Sequence, residues 1–76
     1  MKLNMKKYIE VDFKKGYPSG ENIFYECQIC GDEIQSLPKN EVAECKCKNV
    51  LVDISSARIG ARDESRVKVF KNIWIN

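Results

Sequence analysis

Seventy-six residues, 43% of them apolar, allow one small domain over residues 1–76 and are too few for an enzyme pocket walled on every side. The chain has four cysteines and no histidine, so it lacks the commonest general base. Thirteen basic against eleven acidic side chains leave a formal charge of +2, too mild to name a nucleic-acid partner, and a non-enzymatic role is expected.

Lys2, Lys6 and Lys7 stand near the start, but Glu10, Asp12 and Lys14 interrupt the next segment before an apolar run of signal-peptide length can form. The stretch Val50-Leu51-Val52 is as long as any apolar run in the chain, which excludes a hydrophobic helix across a bilayer. The expectation is a cytoplasmic chain with no membrane partner. In that reducing compartment, paired cysteines more often hold metal or do redox chemistry than form structural disulfides.

Residues 8–13 alternate, with Ile9, Val11 and Phe13 on one face and Tyr8, Glu10 and Asp12 on the other, which predicts a half-buried strand. Residues 14–20 gather Gly16, Pro18, Ser19 and Gly20 as a loop or wide hairpin connection, and residues 22–27 read as the returning strand. Residues 30–40 hold Gly31, Pro38 and Asn40 among polar positions, so they predict irregular chain with at most one helical turn. A second strand pair is expected at residues 41–45 and 50–54. Residues 57–62 predict a short extended piece closed by Gly60, and Asp63-Glu64-Ser65 is turn chemistry in which Asp63 can cap its own backbone or a single helical turn. Val67–Ile75 is the last strand, apolar on both faces near its end. No segment sustains a 3.6-residue period, so the expected fold class is mostly β with antiparallel strands.

The cysteines fall as Cys27-Gln28-Ile29-Cys30-Gly31 and, fourteen residues on, Cys45-Lys46-Cys47. Each half can form a tight turn whose backbone N–H groups point at thiolate sulfur; Gly31 suits the left-handed residue after the first pair, and Asn49 could serve the second loop. Four thiolates closing a tetrahedron, with no position left for water, predict one structural Zn²⁺ held by Cys27, Cys30, Cys45 and Cys47. Two alternatives stand beside it. A thioredoxin-like C-x-x-C needs a βαβ frame that this pattern lacks, and disulfides, with three possible connectivities, would require export. Zinc contributes on the order of 10–16 kcal/mol in small finger peptides, against roughly 3–5 kcal/mol from a core of this size. Metal and fold are therefore expected to be inseparable, and four thiolates with one Zn²⁺ bring the formal charge to zero.

The residues from Cys27 through Ser36, then Cys45-Lys46-Cys47-Lys48-Asn49-Val50-Leu51-Val52-Asp53 and Arg58-Ile59-Gly60, resemble a group of small, uncharacterised zinc-ribbon-like proteins of bacteria and their phages. The shared pattern is C-x-x-C-G-x-x-I-x-S, a spacer, C-x-C-G, an extended segment ending in Val-Asp, and a later Arg; here Lys48 stands where that group has glycine. The resemblance covers about half the chain. It implies a zinc-ribbon-like fold, a bacterial or phage setting and a role without catalysis, and small proteins of that setting act by analogy as inhibitors, immunity factors or adaptors.

Charge is concentrated at the ends: residues 1–15 and 55–76 each carry a balance of +3, and residues 16–54 carry −4. If the ends pair, Arg62, Arg66 and Lys68 could form a basic face with Tyr8, Phe70 and Trp74 to stack on bases, which is the nucleic-acid alternative. A solvated β surface of mixed charge is the plainer reading and the favoured one. Asp53 and Arg58 could make a bidentate bridge across the Ser55-Ser56 turn, and Ser36 reads as a turn residue rather than a nucleophile. In the last strand, Val67, Val69, Ile73 and Ile75 suit the core, whereas Phe70 and Trp74 share the opposite face. Phe70 and Trp74 are therefore expected at an interface with another protein or with a second copy, unless the N-terminal segment covers them through Tyr8 and Tyr17. The function expected overall is a zinc-stabilised protein-binding module.

Overall fold

The computed structural model describes the backbone of residues 3–75 and the side chains of residues 5–73. It is mostly β, with seven strands: β1 (Leu3–Ile9), β2 (Ile23–Cys27), β3 (Glu33–Gln35), β4 (Val42–Glu44), β5 (Val50–Asp53), β6 (Arg58–Ala61) and β7 (Val67–Ile75). A single 3₁₀ turn at Glu64–Arg66 precedes β7, and the Asp63 carboxylate caps it by accepting from Ser65 N–H. The expected capping by Asp63 is thus what the chain does. Among the described residues no helix is long and apolar enough to cross a membrane.

All pairing is antiparallel and falls into two sheets, β1-β7-β2-β3 and β4-β5-β6. Strands β4, β5 and β7 lie where the alternating pattern puts them. Three expectations are corrected. The first strand runs over residues 3–9 rather than 8–13, because register Ile9↔Val69 carried onward would place Phe13 opposite Ser65, in the 3₁₀ turn, where no strand remains. Val11 and Phe13 leave the ladder yet still pack against the core, so their burial was legible and their backbone was not. The expected hairpin between the first two strands is also replaced: β7 lies between β1 and β2, using both of its edges. Short β3, read as irregular chain, forms because Ile34 pairs opposite Tyr25 and buries there.

The core lies between the inner faces of the two sheets. Tyr25, Cys27, Ile34, Val67 and Val69 come from the larger sheet and Cys45, Val50 and Val52 from the smaller sheet's side, with Ile9, Val11, Phe13 and Tyr17 packed around them. Alternation along each strand produces this division, since successive side chains point to opposite faces. Tyr25 reaches through the core to donate its hydroxyl to Pro18 O at 2.6 Å. Ser36, fully buried, accepts from Gly20 N–H at 3.0 Å and donates to Gly20 O at 2.8 Å, which accounts for both of its hydrogen-bonding roles in a structural tie.

The outer face of the larger sheet has a small core of its own. Phe70 is only 1% exposed: Phe24 stacks on it with ring centroids 5.3 Å apart, Tyr8 meets it edge-on at 5.7 Å, and Lys6 Nζ lies 5.0 Å from its centroid. The expectation that Phe70 faces a partner is therefore corrected, since the neighbouring strands β1 and β2 already cover the ring. Tyr8 contributes to that cover, whereas Tyr17 packs instead on Phe13 and Tyr25. The Trp74 side chain lies outside the described residues. Tyr8 also donates to Glu26 at 2.7 Å, and Lys6 pairs with Glu33 and, at 3.9 Å, with Glu26.

Candidate metal centre

Two tight turns bring the cysteines together. In the first, following β2, Gly31 N–H donates to Cys27 O at 2.9 Å and Cys27 N–H to Asp32 O at 2.9 Å, with Gly31 at φ +80°. That left-handed conformation is what a residue without Cβ supplies freely. In the second, between β4 and β5, Lys48 N–H donates to Cys45 O at 2.9 Å and Cys45 N–H to Val50 O at 3.1 Å. Here the left-handed residue is Lys48, at φ +64°, and not Asn49.

The two turns are tied to each other and to the rest of the chain by polar side chains. Asp32, next to the first cysteine pair, accepts from Lys46 N–H of the second turn at 3.0 Å. Asn49 is 4% exposed; its Oδ1 accepts from Asp63 N–H at 2.8 Å and its Nδ2 donates to Asp63 O at 3.2 Å, locking the second turn to the start of the 3₁₀ segment. The same Nδ2 lies 4.0 Å from Cys27 Sγ. Sequence reasoning missed this role for both residues. The usable signal was position alone: a short polar side chain next to each cysteine pair, able to bond nearby backbone.

The result is a cluster in which one sulfur atom from each of Cys27, Cys30, Cys45 and Cys47 lies within 4.8 Å of all the others. Cys47 Sγ stands 3.4 Å from Cys27 Sγ and 3.6 Å from Cys45 Sγ. Four thiolates on a tetrahedral ion with metal–sulfur bonds of about 2.3 Å would have edges of about 3.8 Å, whereas a disulfide requires about 2.05 Å. The four cysteines are free thiols, and their spacing fits a shared cation.

Backbone N–H groups face the sulfur atoms. Val50 N–H donates to Cys45 Sγ at 3.3 Å. The Cys30 thiol is lowered to about 6, first by the N–H of Cys47 and then by that of Asp32. For Cys27, desolvation works against ionisation, but the N–H groups of Cys30 and Ile29 outweigh it and its pKa falls. Cys47 moves the other way: Asn49 N–H favours its thiolate, yet desolvation and the Cys27, Cys45 and Cys30 sulfurs together push it up to about 12. Negative charge on neighbouring sulfurs opposes ionisation of the last one, and a divalent cation at the centre removes that opposition.

The nucleic-acid candidates do not share one setting. Arg62 follows β6, Arg66 Nη2 donates to Gln28 O at 3.4 Å beside the first turn, and Lys68 lies 5.9 Å from the Tyr8 ring centroid on the larger sheet's outer face. Asp53 and Arg58 are opposed in register but make no bridge: the Asp53 carboxylate accepts from Ser55 Oγ at 2.7 Å, Ser56 N–H at 3.2 Å and Ser56 Oγ at 3.1 Å. These bonds, the Ser55 hydroxyl foremost, hold Asp53 below the ordinary carboxylate range. The expected bridge is corrected, because the serine turn supplies closer donors. In comparisons with family models, with curated proteins and with solved structures, no match is found.

Proposed function

We propose that this chain is a zinc-stabilised, non-enzymatic module that binds another protein, with a zinc-ribbon-like centre as its structural core. The reading of zinc rests on the donor set, four thiols with N–H groups turned toward sulfur and spacings near a tetrahedral edge. Bound there, the ion would supply folding free energy and no open coordination position. Ligation would also use every thiol in the chain, leaving no cysteine as a nucleophile.

A protein partner is favoured over nucleic acid by one observation. Where the two basic chain ends pair, Lys6 and Lys68 share the outer face of the larger sheet with Glu26 and Glu33, and Lys6 is engaged by both carboxylates. That face is of mixed charge, which limits the phosphates it can neutralise. Meanwhile Val42, Leu51 and Ile54, of the smaller sheet and its turn, stay exposed. Inhibitor, immunity factor and adaptor are the forms such a module takes.

Elemental analysis of purified chain tests the metal: one zinc per chain is expected, and a metal-free sample with unchanged amide dispersion would overturn it. Capture from native lysate, with and without nuclease, tests the partner class. Capture that survives nuclease supports the reading. Tight binding to duplex DNA at physiological salt, lost on replacing Arg62, Arg66 and Lys68 together, would replace it with the nucleic-acid reading.

A further inference from the structure

The outer face of the smaller sheet carries a hollow of about 420 Å³, lined among others by Glu44, Lys48, Leu51, Arg58, Gly60 and Arg62. Three cations surround it against one carboxylate. None of the three is in an ion pair among the described residues. Leu51 is exposed because its register partner is Gly60, where an added Cβ would meet nothing within 4 Å.

Strand β6 forms one edge of this sheet, and its pairing phase tells which backbone groups are free. Arg62 N–H donates to Asn49 O at 2.9 Å, which makes Asn49 and Arg62 a hydrogen-bonded pair. In an antiparallel ladder such pairs alternate, so Gly60 and Arg58 also turn their N–H and C=O groups toward β5. Ile59 and Ala61 then turn theirs outward. A free strand edge thus borders a cationic hollow with an apolar floor.

Lys48 adds an independent observation. It holds a left-handed backbone conformation that costs a side-chain-bearing residue about 1–2 kcal/mol, at a turn position that glycine would fill at no such cost. Its side chain lines the hollow. Strain kept at a surface position that carries a charge is a pointer to use rather than to stability.

We infer that this face is the docking site for an extended acidic segment of a partner protein, added to β6 as a further strand, with carboxylates toward Lys48, Arg58 and Arg62 and an apolar side chain over Leu51 beside Gly60. Opposite Arg62, Gly60 and Arg58, the outward side chains of such a strand would be acid, apolar, acid at every second residue. A second copy of β6 is a poor occupant, because antiparallel pairing about Gly60 would set Arg58 against Arg62. No aromatic side chain lines the hollow, so a nucleic acid would lack a stacking platform there.

This inference rests on the reading that the chain binds protein, and its test separates the two. The probe is a synthetic peptide with the core Glu-Thr-Leu-Thr-Glu, titrated into the full zinc-loaded chain and followed by amide NMR, with Lys-Thr-Leu-Thr-Lys and a short single-stranded oligonucleotide as the other arms. The acidic peptide is expected to shift amides of β6 and Lys48, and the basic one to leave them unmoved. Arg58→Glu with Arg62→Glu should weaken binding by about tenfold or more. Ala61→Pro removes an outward N–H, which an edge strand tolerates, and should abolish binding while the spectrum stays folded. Lys48→Gly should weaken binding by a smaller factor without loss of stability, a split that a purely structural lysine would not show. Binding kept by Ala61→Pro, shifts confined to another surface, or no binding at all would overturn the docking site and leave the protein-binding reading standing. The oligonucleotide binding at β6 in place of the peptide would overturn both.

Discussion

The two sheets share one core but are held by different means. In the larger sheet, strands of up to nine residues pair along their length, and both faces are packed: Tyr25, Val67 and Val69 inward, Phe70 under Phe24 and Tyr8 outward. In the smaller sheet the strands have three or four residues, the outer face is open at Leu51, and the flanking turns hold Glu41, Lys48 and Ala57 at positive φ. Those three are the only left-handed non-glycine residues among the described ones. Strain is thus collected in the sheet with the least packing to oppose it. What ties that sheet to the larger one are the contacts of Asp32 and Asn49 beside the gathered cysteines, which the proposed zinc would reinforce. The difference teaches that both sheets bury an alternating inner face, whereas the smaller one lacks a packed outer face and relies in addition on the ties of its flanking turns.

Removing the reinforcement by zinc should therefore have the largest effect and should strike the smaller sheet first. With the proposed zinc bound, chelation or Cys45→Ser is expected to cost on the order of 10 kcal/mol, more than the roughly 3–5 kcal/mol of the core, so the chain ends unfolded and the contrast between the sheets lies in the order of loss as metal is withdrawn. Hydrogen exchange should show amides of β4, β5 and β6 losing protection before those at the centre of β7. Equal and simultaneous loss in both sheets would show that the two are held alike.

The reciprocal experiment strikes the larger sheet. Phe70→Ala removes the ring at the centre of the outer aromatic group, and truncations of this kind cost about 3–5 kcal/mol. With zinc in excess, the chain should unfold at markedly lower denaturant while the metal stoichiometry stays at one. A stable Phe70→Ala variant would mean that Phe24 and Tyr8 close the gap and that the outer face contributes little.

Next in size is the polar lock between them. Asn49→Ala leaves Asp63 N–H without its partner, while Asp63 O keeps only Arg66 N–H at 3.2 Å, a loss of about 1–3 kcal/mol, and it should loosen the second turn relative to the 3₁₀ segment. Denaturant unfolding would give the magnitude. Zinc dissociation measured with a chromophoric chelator should quicken, whereas a role confined to backbone capping would leave that rate unchanged.

The pattern of apolar residues placed β7 and the β4–β5 pair because alternation is local, and the C-x-x-C and C-x-C spacing brought together the four cysteines that the fold gathers. Strand order was not legible: nothing in residues 3–9 or 23–27 records that β7 lies between them, since that pairing depends on contacts across the whole chain. Phe70 was misplaced for the same reason, as its cover comes from two strands distant in sequence. The ties made by Asp32 and Asn49 were missed because they depend on where two turns meet, and the left-handed position was assigned to Asn49 although Lys48, standing where the resembling group has glycine, is the residue that takes it.

The sheets should also respond to opposite ends of the pH scale, with a smaller effect. Burial raises the Tyr25 hydroxyl in the larger sheet from 10.0 to about 12. Its contribution is complete below the unfolded value and is lost as pH climbs from about 10 to 12, because the unfolded chain then gives up the proton more readily. At the acid end, protons would compete with the proposed zinc for thiolate, so the ties of the smaller sheet should weaken as pH falls. Stability curves of Tyr25→Phe should lose part of the alkaline decline and keep the acid one. An unchanged alkaline decline would place its origin elsewhere.

The smallest effect tests the strain itself. Ala57 ends the β5–β6 turn at φ +54°, with its N–H donating to Ile54 O at 3.0 Å. Glycine there would relieve a left-handed cost of about 1–2 kcal/mol, offset by about 0.4–1 kcal/mol for the added freedom of the unfolded chain. Ala57→Gly should therefore leave stability between unchanged and about 1.6 kcal/mol higher. The gain belongs to the smaller sheet, so it should appear as slower exchange of β5 and β6 amides, with β7 unaffected. A loss of stability would mean that the turn is held by Asp53 and its serine donors firmly enough that no strain is stored at Ala57, and that the contrast between the two sheets lies in packing alone.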